Sequence, residues 1–246
     1  MNITLLSPHS VLAVLETRPH DIVQLQIPSG NLSEAWQMVE ATALDLIQRR
    51  ELEHALLVRR PPPQRKSAKG GRAGTAGSAE IRAHRGEPLD ALFDGADQGG
   101  LWLAMDCLQD PHNVGAIFRA AAFFGVKGIV MTRDRSAPIT GVAYGVASGG
   151  VEHVPFAIES NLVRVIKVAR DKGLWVLGTS EHADRPLADI PRDRAWLVVV
   201  GNEESGLRRL TIENCDELCT IPGQGAVDSL NVSVAAGILM HALSEG

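Results

Sequence analysis

Three short segments carry the residue types that could do chemistry in this 246-residue chain. The first is DPHNVGAIFRAA, residues 110–121. Asn113 stands there at the mouth of a helix that is apolar almost all round, except for Arg119. An arginine is costly to bury without a partner. It stays protonated in proteins, so it suits holding an anion better than taking a proton. The second segment is VVVGNEESGL, residues 198–207, with Gly201, Glu203 and Ser205. The third is IPGQGAVDSLNVSVAAG, residues 221–237, where Ile221 precedes a glycine loop and Ser229, Leu230 and Asn231 open a helix. Polar groups at a helix N-terminus suit an anion such as phosphate. Thr179, after LWVLG, is a further candidate. Each also has a plainer reading. Asn113, Ser205 and Ser229 fit helix caps, and Gly201, Gly223, Gly225 and Thr179 fit turns. GQGAVDS lacks the third glycine of a dinucleotide fingerprint, and there is no Walker A loop.

Such residues need a frame. From Leu101 onward, strand-like runs (LWLAM, GIVMT, HVPFAI, LWVLGT, WLVVV, ELCTI) alternate with helix-like ones (NVGAIFRAAAFFG, ITGVAYGVASGG, NLVRVIKVARDKG, GLRRLTIENC, SLNVSVAAGILMHALS). That alternation predicts a mostly parallel sheet covered on both faces. Ligands in such sheets bind at the carboxyl ends of strands, and all three segments follow a strand. Upstream, HSVLAVLE reads as a helix, DIVQLQIP as a strand, and LSEAWQMVEATALDLIQRR as a helix capped by Ser33. Residues 59–78, RRPPPQRKSAKGGRAGTAGS, hold six basic residues and no acid, with proline and glycine dominating. They read as a flexible loop, either merely solvated or touching phosphate. The expected organisation is a first domain at 1–84 containing that loop, a linker at 85–99, and a second domain at 100–246.

Composition narrows the class. Hydrophobic residues make up 45% and charged residues 22% of a chain with formal net charge −5. Removing the six positive charges of the loop from −5 leaves −11 elsewhere, so the chain is no uniformly basic nucleic-acid coat. Three cysteines, Cys107, Cys215 and Cys219, argue against a disulfide framework and suit a reducing compartment. Cys215 and Cys219 stand four apart without a second pair, so they read as buried thiols and not as a zinc site. No apolar run reaches the roughly 18 residues of a membrane span, and MNITLLSPHSVLAVLE has no signal-peptide pattern. The expectation is a cytoplasmic protein without metal. Of the eight histidines only His112 lies in a motif, where a turn role fits best.

Taken in order and at the right strand ends, the three segments resemble the motifs of the SpoU-type RNA ribose methyltransferases of the SPOUT superfamily, in the TrmH/RlmB-like branch. DRSAPIT, residues 134–140, and HADRPL look like this branch too, so the resemblance covers Leu101 to the C-terminus. It implies an α/β fold whose C-terminal domain is a trefoil-knotted SPOUT methyltransferase domain binding S-adenosyl-L-methionine. The N-terminal segment is similar to the small α/β, ribosomal-protein-like RNA-binding domain of the branch.

The implied reaction methylates a ribose 2′-hydroxyl in RNA, the branch's usual target being a guanosine of 23S ribosomal RNA. Alternatives are a tRNA ribose methyltransferase of the same fold and a non-catalytic RNA-binding protein. The resemblance assigns catalysis to Arg119, Asn113, Glu203, Ser229 and Asn231. Arg119 would face the strand ends and clamp a phosphate, with Asn113 hydrogen-bonding it or the substrate. Glu203 would either pair with Arg119 or hold the second loop. Gly201, Ile221 and Leu230 would offer backbone contacts to the cofactor, with Thr179 beside them. The resemblance also implies a homodimer whose RNA site draws on both subunits. With aromatics at 4% and Tyr144 the only tyrosine, RNA recognition is expected to lean on shape and phosphate contacts.

Overall fold

The computed structural model describes residues 2–59 and 77–244. The chain forms two compact units that divide between His84 and Arg85.

The first unit contains β1 (Asn2–Leu5), α1 (Pro8–Thr17), β2 (Ile22–Ile27), α2 (Glu34–Gln48), β3 (Leu57–Arg59) and β4 (Ser78–Arg82). Its sheet runs β1-β4-β2-β3. β4 is antiparallel to both its neighbours, while β2 and β3 are parallel. Ser33 caps α2, its side chain accepting from Trp36 N at 3.5 Å. Val39, Ala43 and Leu46 recur at helical spacing and are buried, and this helix packs against α1. The basic stretch at 59–78 starts in one strand and ends in another, so it joins two strands of a single sheet. Its proposed phosphate contacts fall on residues 60–76, outside the described residues.

The second unit contains α3 (Leu89–Leu92), β5 (Leu101–Met105), α4 (Pro111–Phe124), β6 (Gly128–Thr132), α5 (Gly141–Ala147), α6 (Gly150–His153), β7 (Phe156–Glu159), α7 (Leu162–Asp171), β8 (Trp175–Thr179), β9 (Trp196–Val200), α8 (Arg209–Glu213), β10 (Glu217–Cys219) and α9 (Val232–Ser244). The sheet order is β10-β8-β9-β5-β6-β7, and every pairing is parallel. β5, β6 and β9 are buried at every position, as continuous apolar runs must be when helices cover both faces. On one side Trp102, Ala104, Val130, Leu197 and Val199 share a core with Leu162, Val165, Ile166 and Ala169 of α7. On the other side α4 packs on α5, α6 and α9. The approach of α4 to α5 depends on Gly115, where a Cβ would stand 2.5 Å from the Ala143 carbonyl oxygen.

Two expectations change. Residues 85–99 are no bare linker, because Leu89, Leu92, Phe93 and Ala96 are buried in the core of the second unit. Trp102 Nε1 also donates to Leu92 O at 2.8 Å. A four-residue helix is too short to show a period, so the pattern could not be seen in sequence. The stretch ITGVAYGVASGG makes two helices, broken where Ser148 and Gly149 adopt left-handed φ values of 51° and 98°. Among the described residues no helix is long and apolar enough to cross a membrane.

The three cysteines are free thiols. Burial, followed by a neighbouring carboxylate, pushes Cys215 and Cys219 up to about 12. The neutral form is the one the fold favours. Its contribution to stability is therefore full below the unfolded thiol value of about 8.5 and is lost as pH rises toward about 12. Mass spectrometry after brief iodoacetamide treatment at pH 8 is expected to find both unmodified in the native protein and modified in urea.

Candidate active site

The first and second segments leave the carboxyl ends of adjacent strands, β5 and β9. The third leaves β10, two strands further along. Asp110 caps α4, its carboxylate accepting from His112 N at 2.8 Å, with Pro111 in the first turn and Gly125 closing the helix at φ 71°. Asn113 is thus not a cap. It is buried, and its carboxamide is spent across the site. Nδ2 donates to Glu203 Oε1 at 2.7 Å, and Oδ1 accepts from Asn231 Nδ2 at 3.0 Å. One side chain therefore ties all three segments together.

Asn202 shapes the second loop. Its Oδ1 accepts from Glu204 N, Ser205 N and Ser205 Oγ at 3.0–3.2 Å. Its Nδ2 donates to Cys107 O at 3.0 Å. The backbone closes on itself between Asn202 and Gly206. A Cβ on Gly201 would lie 2.3–2.5 Å from the Gly206 and Leu207 backbone, so only glycine fits the turn. Beneath it, fully buried Asp106 meets Arg208 Nη2 at 2.7 Å and accepts from Thr211 Oγ1 at 2.8 Å. Such a buried carboxylate is tolerable only when paired, and this pairing fastens the second loop to the end of β5. Sequence reasoning missed Asn202, Asp106, Arg208 and Thr211. The available signal was an acid abutting the apolar run LWLAM.

In the third segment α9 begins at Val232, later than the expected start at Ser229. Asn231 acts as its cap, Oδ1 accepting from Ser233 N at 2.9 Å and from Ser233 Oγ at 2.6 Å. Ser229 and Leu230 lie in exposed coil ahead of it, and the Ser229 side chain makes no hydrogen bond to the Asn113 cluster. Residues 221–230 make no backbone hydrogen bond to another described residue. Their N–H and carbonyl groups, including those of Ile221 and Leu230, are open to a ligand. Thr179 Oγ1 donates to Val199 O at 3.1 Å, so this hydroxyl braces β8 against β9.

Arg119 departs from expectation. It is exposed, beside Ala116, Ala120, Phe123 and Val146, and makes no hydrogen bond or ion pair with another described residue. Six residues after Asn113 is about 240° around the helix, so the two side chains occupy different faces. Of the two roles open to Glu203, the geometry fits the second. It accepts from Asn113 and, at 3.4 Å, from Asn202, and not from Arg119.

The sequence profile of the SpoU rRNA Methylase family matches residues 100–241. The chain is 36% identical to the 23S rRNA (guanosine-2′-O-)-methyltransferase RlmB of Yersinia pestis over 237 residues, covering 94% of this chain and 92% of that protein. With the RlmB of Escherichia coli K12 it shares 40% identity over 159 residues, 65% of each chain. The fold is similar to an AdoMet-bound rRNA methyltransferase from Sinorhizobium meliloti, with TM-score 0.77 at 20% identity across 98% of this chain and 86% of that one.

Proposed function

Because the chain belongs to the SpoU rRNA methylase family, we propose that it methylates the ribose 2′-hydroxyl of a guanosine in 23S ribosomal RNA, using S-adenosylmethionine. The observation that carries this reading is the convergence of the three segments on Asn113. A chain that had kept only the fold would have no need to hold these loops in register through one buried amide.

The residues fit the cofactor. The unbonded backbone of 221–230 and the tight turn at Gly201 offer donors, acceptors and close approach to a flat adenine edge. When bound, S-adenosylmethionine supplies a methyl group already activated by its sulfonium charge, which needs no Lewis acid. The protein's task is alignment, worth up to roughly 7–11 kcal/mol in well-oriented systems, and help in removing a poorly acidic proton. Asn113, Glu203 and Asn231 hold the loops that set the alignment. Arg119 clamps the RNA phosphate next to the target and makes the hydroxyl more acidic, with a phosphate oxygen accepting the proton. Ser229 contributes from the exposed end of the 221–230 loop once RNA is bound.

Arg119 does this in a homodimer. Phe123, Val234 and Ile238 are 82%, 50% and 37% exposed on α4 and α9, an apolar surface that suits a second copy. Arg119 shares the exposed side of α4 with Phe123, which favours a site drawing on both subunits. The knot is supported by the return of α9 from the sheet edge to α4, β5 and β9, past the segment where Leu187 N donates to Thr220 O. The first unit would bind rRNA, and free thiols fit a cytoplasmic setting.

Mapping ribose methylation in cells with and without this chain tests the reading. One guanosine of 23S rRNA is expected to lose its 2′-O-methyl group. A methyl lost from tRNA instead would move the substrate, and unchanged RNA would refute the activity.

A further inference from the structure

The loop between β6 and α5, residues 133–140, has no part in the chemistry above, yet it is firmly held. Arg133 N donates to Glu159 O at 2.8 Å, at the end of β7. On the other side Ala137 N donates to Leu108 O at 2.7 Å, and Cys107 Sγ donates to Asp134 O at 3.6 Å. Thr132 Oγ1 accepts from Cys107 N at 2.8 Å and lies 2.6 Å from Ser136 Oγ. Cys107 and Leu108 lead directly into Asp110 and Asn113. The loop is thus built into the edge of the site, one strand spacing of about 4.8 Å from the end of β5.

Two guanidinium groups on this frame are unspent. Arg164, Arg170, Arg185, Arg194, Arg208 and Arg209 each form an ion pair with a carboxylate. Arg133 and Arg135 are exposed and pair with no described residue, although Asp134 stands between them. Arg135 also holds a left-handed φ of 56°, where a residue other than glycine is uncommon and costs backbone energy. A turn needing only its shape would be better served by glycine.

We infer that Arg133 and Arg135 bind backbone phosphates of the RNA beside the methylated ribose. The inference rests on the methyltransferase reading for the identity of that RNA. A guanidinium matches phosphate geometry with two parallel donors. A loop already fixed at both ends loses little freedom on binding. Contacts of this kind position RNA without reading its bases, as suits a chain with few aromatics.

The test uses the full chain and unmodified 23S rRNA transcript. Arg135→Gly removes the guanidinium while relieving the backbone, so a loss cannot be blamed on folding. Its melting temperature is expected to equal or exceed the parent's, with S-adenosylmethionine binding unchanged. KM for RNA should rise about tenfold, and about a hundredfold with Arg133→Ser added, with little change in kcat. The slope of log K against log salt should fall by about 0.7–0.9 for each contact removed. Arg133→Lys with Arg135→Lys should keep the slope. A glycine–serine double variant with the parent's KM and salt slope overturns the inference. If the unsubstituted chain transfers no methyl group but its RNA binding still loses slope in the variants, the methyltransferase reading fails and the phosphate contacts stand.

Discussion

Arg119→Ala is expected to lower methyl transfer about 10³-fold, the usual scale for deleting a positioned charge at a reacting oxygen, while S-adenosylmethionine binds as before. The separation follows from placement. Arg119 makes no hydrogen bond or ion pair with the described residues of the turn at 201–206 or the loop at 221–230, and the Asn113 network is complete without it. Its removal leaves the pocket's shape and deletes only the cation that meets RNA. Exposure makes a second measurement decisive. If each site takes Arg119 from the partner subunit, mixing Arg119→Ala with Asn231→Ala chains rebuilds one whole site in every mixed dimer. Random mixing would then restore about a quarter of parental turnover, from two variants that are each inactive. Absence of recovery would mean that Arg119 works within its own chain. Substantial turnover by Arg119→Ala alone would end its catalytic assignment.

The parallel sheet was legible because strands buried on both faces must be continuous apolar runs, and β5, β6 and β9 are buried throughout. The three loops were legible because strand ends are where such sheets bind ligands. Side-chain pairing was not. Asn113 has the chemistry of a helix cap, but Asp110 took that place and freed the amide for Glu203 and Asn231. The ion pair of Asp106 with Arg208 joins residues 102 apart in sequence, and no local period encodes such a contact. The strand pairing inside the first unit was hidden for a related reason. β4 follows the basic stretch in sequence, but its partners β1 and β2 precede it.

The segment 85–99 yields the second large effect, on stability. A chain beginning at Gly99 loses Leu89, Leu92, Phe93 and Ala96, all 4% exposed or less. Burying the three larger side chains is worth about 1.5–3 kcal/mol each. The loss also strips the buried Trp102 indole of its Leu92 acceptor, which costs a further ~1–3 kcal/mol. Together these approach the ~5–15 kcal/mol that holds a whole domain folded. Glu87 N donates to Phe156 O at 2.7 Å as well, so the anchorage runs almost to the boundary at Arg85. A chain beginning at Arg85 is therefore expected to unfold cooperatively in urea and to bind S-adenosylmethionine, whereas one beginning at Gly99 should do neither well. If the two unfold at the same urea concentration, the segment contributes nothing to the core. The longer of the two should still lose most of its activity on full-length 23S rRNA. It lacks the β1–β4 unit, and with it any gain in local RNA concentration from a tethered binding module. Undiminished methylation by the chain from Arg85 would place substrate choice wholly in the second unit.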